Sequence, residues 1–584
     1  MLLNFQIGRL DIAVLAVYLA AILFSGLLFK DGFKDTKDYF AAGGNMLWWM
    51  AGFSALTSEL SVWGFTGAAG RYSSEGLLLL YANFVSYLTL PFLFWLGPRF
   101  RRLRVTTALE AVGLRFGSRT ETFYSLLVIP LGVWSGAMGI HVTAVFFSAA
   151  TGVDKDLIVL VVGGFIVIVS ALGGIWAIST SDLFQGMLTL FMMIVLLMLV
   201  ASHPSVEEAG GFWKSIPRDL LNPFSHTTPF TVVTWVSAMT AVTLLGRLSV
   251  MHDGAKFIIA RSEVDCRRMV GVFLTIGLFM TPLIAFPSIL ASTILGPELL
   301  GQAETSGEGV IAHLASAILP AGLMGLMLAA IVAAAMNSMD QTLNRNAGFF
   351  VTSIYQRFFR AETTAVESIR VSRIATIVSG SISMVIALIL NANRESGLFD
   401  FVLRANSLLT IPLMIPVALG IVFRKAPSWA GWGGALVCTT VAWLSDAFIS
   451  APGILSFVGV EAVGPRDFVD LKLAVQIFLT LIAGLLVFGV GHLWEHSRNR
   501  TAVSSVGAPF WCRWNDPVLS EGSAETDRLQ RVNAGRILLG FGLAIACLLP
   551  FLKLGRESLW VLGLVLCFAV PGAILLRNRK PNVD

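Results

Sequence analysis

The sequence predicts an all-α integral membrane protein of about fifteen spans, with the N-terminus outside and the C-terminus inside. Three observations carry this. Only 13% of the 584 residues are charged and 56% are hydrophobic, whereas a soluble domain carries roughly 25% charged residues; so few charges cannot cover a surface that faces water. Mean hydropathy is +0.78. Apolar runs of about 20 residues, long enough to cross a bilayer as helix, recur along the whole chain.

In order, the runs fall at 11–30, 47–69, 77–97, 121–147, 157–176, 180–201, 231–248, 269–295, 314–346, 370–391, 397–423, 429–449, 469–493, 534–553 and 558–576. The first is bounded by Asp11 and Lys30 and lacks a basic start and a small-residue cleavage site. It reads as a retained span and not a signal peptide. Basic residues set the polarity. Lys30, Lys34 and Lys37 fall in the first inside loop, and Arg99, Arg101, Arg102, Arg104, Arg115 and Arg119 in the next. Arg261, Arg267, Arg268, Arg357, Arg360, Arg424, Lys425, Arg498 and Arg500 follow, with Arg577, Arg579 and Lys580 in the tail. The outside loop at 296–313 is acidic, with Glu298, Glu304 and Glu308.

Several function classes drop out. There is no Walker loop, dinucleotide fingerprint or HExxH, so neither ATP-driven transport by this chain alone nor an enzyme is expected. The net charge of +5 is spread over loops and is no nucleic-acid footprint. The five cysteines, Cys266, Cys438 and Cys512 among them, are dispersed without metal-ligand spacing.

Polar groups inside a span are costly and mark the functional centre. The run Ser54-Ala-Leu-Thr57-Ser58-Glu59-Leu60-Ser61 lies mid-span among Gly52, Gly64, Gly67 and Gly70. It suits a broken helix, whose freed carbonyls can hold a cation. In Ser179-Thr180-Ser181-Asp182-Leu-Phe-Gln185, Asp182 and Gln185 share a helix face; a helix cap explains Asp182 as well as a site does. The run Ala333-Ala-Ala-Met336-Asn337-Ser338-Met339-Asp340-Gln341 offers close approach and oxygen ligands; the alternative is a polar exit with Asp340 paired to Arg345. Arg404, beside Asn406 and Ser407, could meet a substrate carboxylate or pair with Glu59, Asp182 or Asp340. His141 could bind substrate or pack. Trp134, Ser135 and Tyr81 are candidates for a cavity wall, and Trp48 and Trp49 suit an interface.

At these residues the chain resembles the sodium:solute symporter family, of bacterial type. The resemblance covers about residues 8–495. It is carried by Asp35-Thr-Lys-Asp38-Tyr39-Phe40-Ala-Ala-Gly43-Gly44, by Trp48-Trp49, by the 54–70 segment, by Gly173-Gly174 with Ser181-Asp182 and Gln185, and by the Ala-rich approach to Asn337-Ser338. It implies a LeuT-like 5+5 inverted repeat with flanking spans. Residues 1–45 would be a leading helix and loop, 46–201 the first repeat, 202–230 an extracytoplasmic loop and 231–423 the second repeat. Residues 424–493 would add two spans, 494–533 a cytoplasmic loop and 534–584 two last spans and the tail. The short polar 231–248 segment would be the second broken helix.

The resemblance further implies a sodium site at Thr57, Leu60, Ala334, Asn337 and Ser338, with Asn337 standing where many relatives have serine. A second cation would fall at Asp182, Asp340 and Gln341, the last two again replacing serines. Substrate would lie near Thr57, Ser58, Glu59, Ser61, Tyr81, His141, Trp235 and Arg404. Glu59 matches an acidic residue of the proline-carrier branch, and the Gly246–Asp253 region lacks the Gln-rich stretch of sugar carriers. The expected function is sodium-coupled symport of a small polar organic solute (sugar, sugar acid or amino acid) by alternating access in the bacterial inner membrane. Sodium is the coupling ion, no cofactor is needed, and the chain works as a monomer or weak homo-oligomer in the lipid bilayer. The rivals are proton coupling in the same fold, through Glu59 or Asp182, and a transporter-like sensor.

Overall fold

A computed structural model describes residues 8–28, 40–59, 61–172, 175–304, 308–360, 363–393, 397–497, 506–518, 524–546, 549 and 556–577. Leu60, the Asp35–Tyr39 stretch and Gly173-Gly174 therefore lie outside the described residues. The described secondary structure is helical throughout, with one isolated bridge between Met46 and Ala260.

Ten described helices are long and apolar enough to cross a membrane, or up to twelve if each of two bent pairs is one span. The pairs are Leu78–Tyr87 with Phe92–Arg102, bent by 56°, and Trp429–Phe448 with Ala451–Val458, bent by 79°. This corrects the expected fifteen. Of the remaining runs, 47–69 is not one helix, 11–30 extends into residues outside the described set, and so does 534–553.

The helix Leu323–Phe349 is the core of the molecule. Along the span Leu323–Phe359, 94% of the most apolar window is buried in protein, against 28% for the peripheral Ala365–Ala392. Small side chains explain how neighbours come so close: Ala329, Ala330 and Ala333 to Ala335 are all buried. Around it pack Arg9–Leu28, Ser118–Thr151, Ile175–Ala201 and Ala365–Asn393. The helix Ile175–Ala201 also crosses Trp48–Thr57, at Gly186. A Cβ there would stand 2.1 Å from Thr57 Cγ2 and 2.6 Å from Phe53 Cε1, so glycine is what lets these two backbones meet.

The first break lies where the sequence places it. Trp48–Thr57 ends in a turn at Ser58 and Glu59, and a π turn, Gly64–Ala68, leads into Ala69–Glu75. The bonds from Glu59 N to Leu56 O and from Gly64 N to Ser61 O span only three residues. The second break falls later than expected. Pro229–Leu248 is a continuous helix, and the chain becomes extended only at Ser249 before the turn Val250–Gly254. The hydroxyls of Thr234, Ser237, Thr240 and Thr243 each donate to the carbonyl four residues earlier. They satisfy themselves within the helix and need not break it.

Candidate functional site

The polar face of Leu323–Phe349 meets the first break. Thr57 is buried, and its Oγ1 donates to Ser54 O at 3.1 Å. Ser338 Oγ donates to Ala335 O at 3.1 Å and Ala334 O at 3.4 Å, which leaves its lone pairs uncommitted. Asn337, next to Ser338 in the chain, is fully buried, yet neither its Oδ1 nor its Nδ2 has a hydrogen-bond partner. A buried unpaired amide is costly. A hard cation prefers oxygen ligands, and the unpaired Asn337 carbonyl oxygen is of that kind.

The neighbouring carboxylates separate. Asp182 is buried; its Oδ2 accepts from Ser54 Oγ and from Gln341 Nε2 at 3.1 Å, and its Oδ1 is unpartnered. Gln341 Nε2 also reaches Ser54 O at 3.2 Å. Asp340 instead accepts from Ser170 Oγ, on Gly164–Leu172. Arg345 does not pair with Asp340; its side chain lines the vestibule described next. Gln185 Oε1 and Ser179 Oγ are also buried without partners, near Asp182 in sequence.

Two cavities flank this site. A vestibule of about 280 Å³ is lined by Ser54, Ser58, Glu59, Lys256, Ser338, Gln341 and Arg345 among others, and reaches Thr106 to Ala108, Ile258 and Ile259. A chamber of about 310 Å³ is lined by Ser61, Trp63, Trp134, Ser135, Ser338, Thr342 and Asn406 among others. Ser338 and Thr342 belong to both walls. Trp63, on the chamber wall, stacks on Phe399, with ring centroids 5.2 Å apart. Beyond that pair, two turns along the helix, Arg71 lies between the rings of Trp235 and Phe399, at 4.2 and 4.6 Å. Arg71 donates to Glu75 at 2.7 Å and to Asp470, and Arg466 ties Glu75 to Asp400 at 2.7 and 2.6 Å.

Not every expected substrate contact reaches a cavity. Glu59 and Ser58 line the vestibule and not the chamber. Glu59 is ion-paired to Lys256, which also bonds Asp253 at 3.0 Å. Arg404 is 65% exposed and bonds Asp446 at 2.7 Å, so it meets none of the three carboxylates suggested for it. The π turn Asn406–Thr410 follows Arg404, and the wall residue is its neighbour Asn406. His141 Nδ1 sits 2.6 Å from Asn391 Oδ1, on the face toward Ala365–Asn393. Trp235 is buried under Arg71, and Tyr81 is 45% exposed and lines neither cavity. Arg404, His141 and the Trp235 ring are engaged by Asp446, Asn391 and Arg71, and none of the four lines the chamber. Sequence reasoning missed Lys256, Asp253, Trp63, Thr342 and the Arg71 network. Arg71 and Glu75, opposite charges four apart between two apolar runs, were the one legible signal among them.

The sodium:solute symporter family model matches residues 39–439. Over 455 residues the chain is 26% identical to the sodium/sialic acid symporter NanT of Aliivibrio fischeri, covering 75% of this chain and 88% of the relative. It is 24% identical over 450 residues to the sodium/glucose cotransporter of Vibrio parahaemolyticus, covering 72% and 82%. Among solved structures it is similar to a substrate-bound, outward-open sodium-coupled sialic acid symporter, with TM-score 0.66 at 20% identity over 83% of this chain and 98% of that one. The fold is therefore the all-α, multi-span, inverted-repeat packing of such carriers. No group of three or more His, Cys, Asp or Glu that could hold a metal occurs among the described residues. With its broken helix, its unpaired amide and a match over more than half its length, the chain belongs to the sodium:solute symporter family, as a multi-pass secondary carrier that moves a small polar organic solute with sodium by alternating access.

Proposed function

We propose that one sodium binds between Thr57, Ala334, Asn337 and Ser338, and that the solute occupies the chamber beside it; Leu60, the other expected ligand, lies outside the described residues. The observation that carries this is the buried, unpartnered Asn337 amide on the helix that walls both cavities. Ser338 then touches the ion site, the vestibule and the chamber at once, which is what coupling requires: each ligand favours the same closed arrangement. A second cation would use the free Oδ1 of Asp182, with Gln341 turned to present its oxygen and Asp340 released from Ser170. The vestibule lies next to the arginine-rich segments around Arg104 and Arg261, so the positive-inside rule makes it cytoplasmic. The carrier then stands inward-open, closed outside by Trp63–Phe399 and the Arg71 network.

The relatives' names, sialic acid and glucose among them, favour a polyhydroxylated solute imported across a bacterial inner membrane. Proton coupling on Glu59 finds less support, because the Lys256 ammonium already holds that carboxylate. The test is uptake into proteoliposomes with an imposed sodium gradient and then a matched potassium gradient. Accumulation with sodium only is expected, and Asn337→Ala should abolish it. Accumulation with either gradient would overturn the sodium site.

A further inference from the structure

Resting on the sodium-coupled reading above, we infer that the chamber takes an uncharged, polyhydroxylated solute of monosaccharide or cyclitol size with one apolar face, and rejects sugar acids and amino acids. The chamber wall carries no charged side chain among the described residues: its polar groups are hydroxyls and one amide, and its broad surfaces are two indoles.

Every charge nearby is already committed or stands elsewhere. Arg404 turns away to Asp446. Arg71 is held by Glu75 and Asp470 behind the Trp63–Phe399 stack. Glu59 and Lys256 satisfy each other in the vestibule. Arg345 is two turns past Ser338 on the same helix, about 10 Å away along the axis, and it lines the vestibule and not the chamber. His141 bonds Asn391 and faces another helix. A carboxylate in the chamber would therefore lose its water without gaining a cationic side chain, an effective penalty of several kcal/mol per ion.

Neutral hydroxyls fare differently. The hydroxyls of Ser61 and Ser135 line the chamber and make no hydrogen bond among the described residues, and each can both donate and accept. Asn406 accepts from Thr410 at 3.3 Å and keeps its amide hydrogens free. Thr342 donates to Ser338 O at 2.8 Å and keeps its lone pairs. The faces of Trp63 and Trp134 offer flat apolar area for the C–H side of a ring. The volume of about 310 Å³ lies at the small end of ligand pockets, roughly 300–1,000 Å³, which fits one ring and not an oligosaccharide.

The experiment uses the full chain in proteoliposomes under an inward sodium gradient, with 22Na+ binding to the purified protein measured in parallel. Glucose, galactose and myo-inositol form the neutral set; glucuronate, gluconate, sialic acid and proline form the charged set. Expected is sodium-driven accumulation of at least one neutral solute, with no competition from the charged set at tenfold excess. Ser135→Ala and Asn406→Ala should each raise KM for that solute about 10-fold and leave 22Na+ binding unchanged. Sodium-driven uptake of a charged solute overturns the inference. So does failure to move any neutral one while 22Na+ still binds. Absence of 22Na+ binding to the parent protein overturns the sodium reading, and this one with it.

Discussion

Replacing Asp470 by asparagine should tip the carrier toward the state whose chamber opens past Trp63 and Phe399. In the closed arrangement the Arg71 side chain has 0% exposure and Asp470 only 2%. Between them they link the second half of the broken helix, Ala69–Glu75, to the helix Pro465–Ser497. The ion pair itself is a poor guide to stability, since opening the gate returns both charges to water. The substitution acts differently on the two states. In the closed state it leaves a buried guanidinium with half its compensation, which costs about 3 kcal/mol; in the open state the guanidinium is hydrated and loses little. At 1.4 kcal/mol per decade, that shifts the closed-to-open ratio about 100-fold. The assay is a Ser135→Cys reporter in the chamber, in a background with the exposed Cys512 and Cys567 changed to serine, labelled by a membrane-impermeant thiol reagent from the extracellular side. The labelling rate should rise by one to two orders of magnitude in Asp470→Asn. An unchanged rate in a protein with the parent's melting temperature would refute the idea that this network holds the outer side shut.

Other changes separate the proposed ion site from its surroundings. Ser338→Ala removes a proposed ligand but little volume, and is expected to weaken sodium binding about 10-fold or more, read by isothermal titration of the purified protein. Gly186→Ala forces a methyl against Thr57 and Phe53; overpacking of about 1–3 kcal/mol should lower both the melting temperature and sodium affinity, whereas Gly271→Ala, with open space around its Cβ, should lower neither by that route. Asp182→Asn should lower the Hill coefficient for sodium in uptake assays if its free oxygen holds a second cation, and should leave it unchanged if Asp182 only anchors Ser54 and Gln341. His141→Phe should leave KM for the solute within about twofold while lowering the melting temperature, because the imidazole serves Asn391 and not the chamber.

The membrane class, the polar landmarks and the first break were legible in the sequence because each is local. Lipid demands long apolar helices, so the rare hydroxyls, amides and carboxylates within them stand out against that background. Ser54 to Ser61 and Ala334 to Ser338 were visible for that reason. The second break was misplaced because a hydroxyl that will bond its own helix looks the same in sequence as one that will not: the Thr234 to Thr243 series stays within its helix, and the chain turns at Ser249 instead. Span number shifted because an apolar run reports hydrophobicity and not continuity.

Partnership was what the sequence could not decide. Glu59, Arg404 and His141 were all plausible substrate contacts while their surroundings were unknown. Their partners, Lys256, Asp446 and Asn391, lie 197, 42 and 250 positions away. The sequence alone determined that this chain lives in lipid and where along it the polar chemistry sits. Only the packing of helices distant in sequence decided which of those groups are spent on one another, leaving Asn337 unpaired at the proposed ion site and a chamber lined by neutral groups, because a side chain's charge counts at a site only when no nearer partner has claimed it.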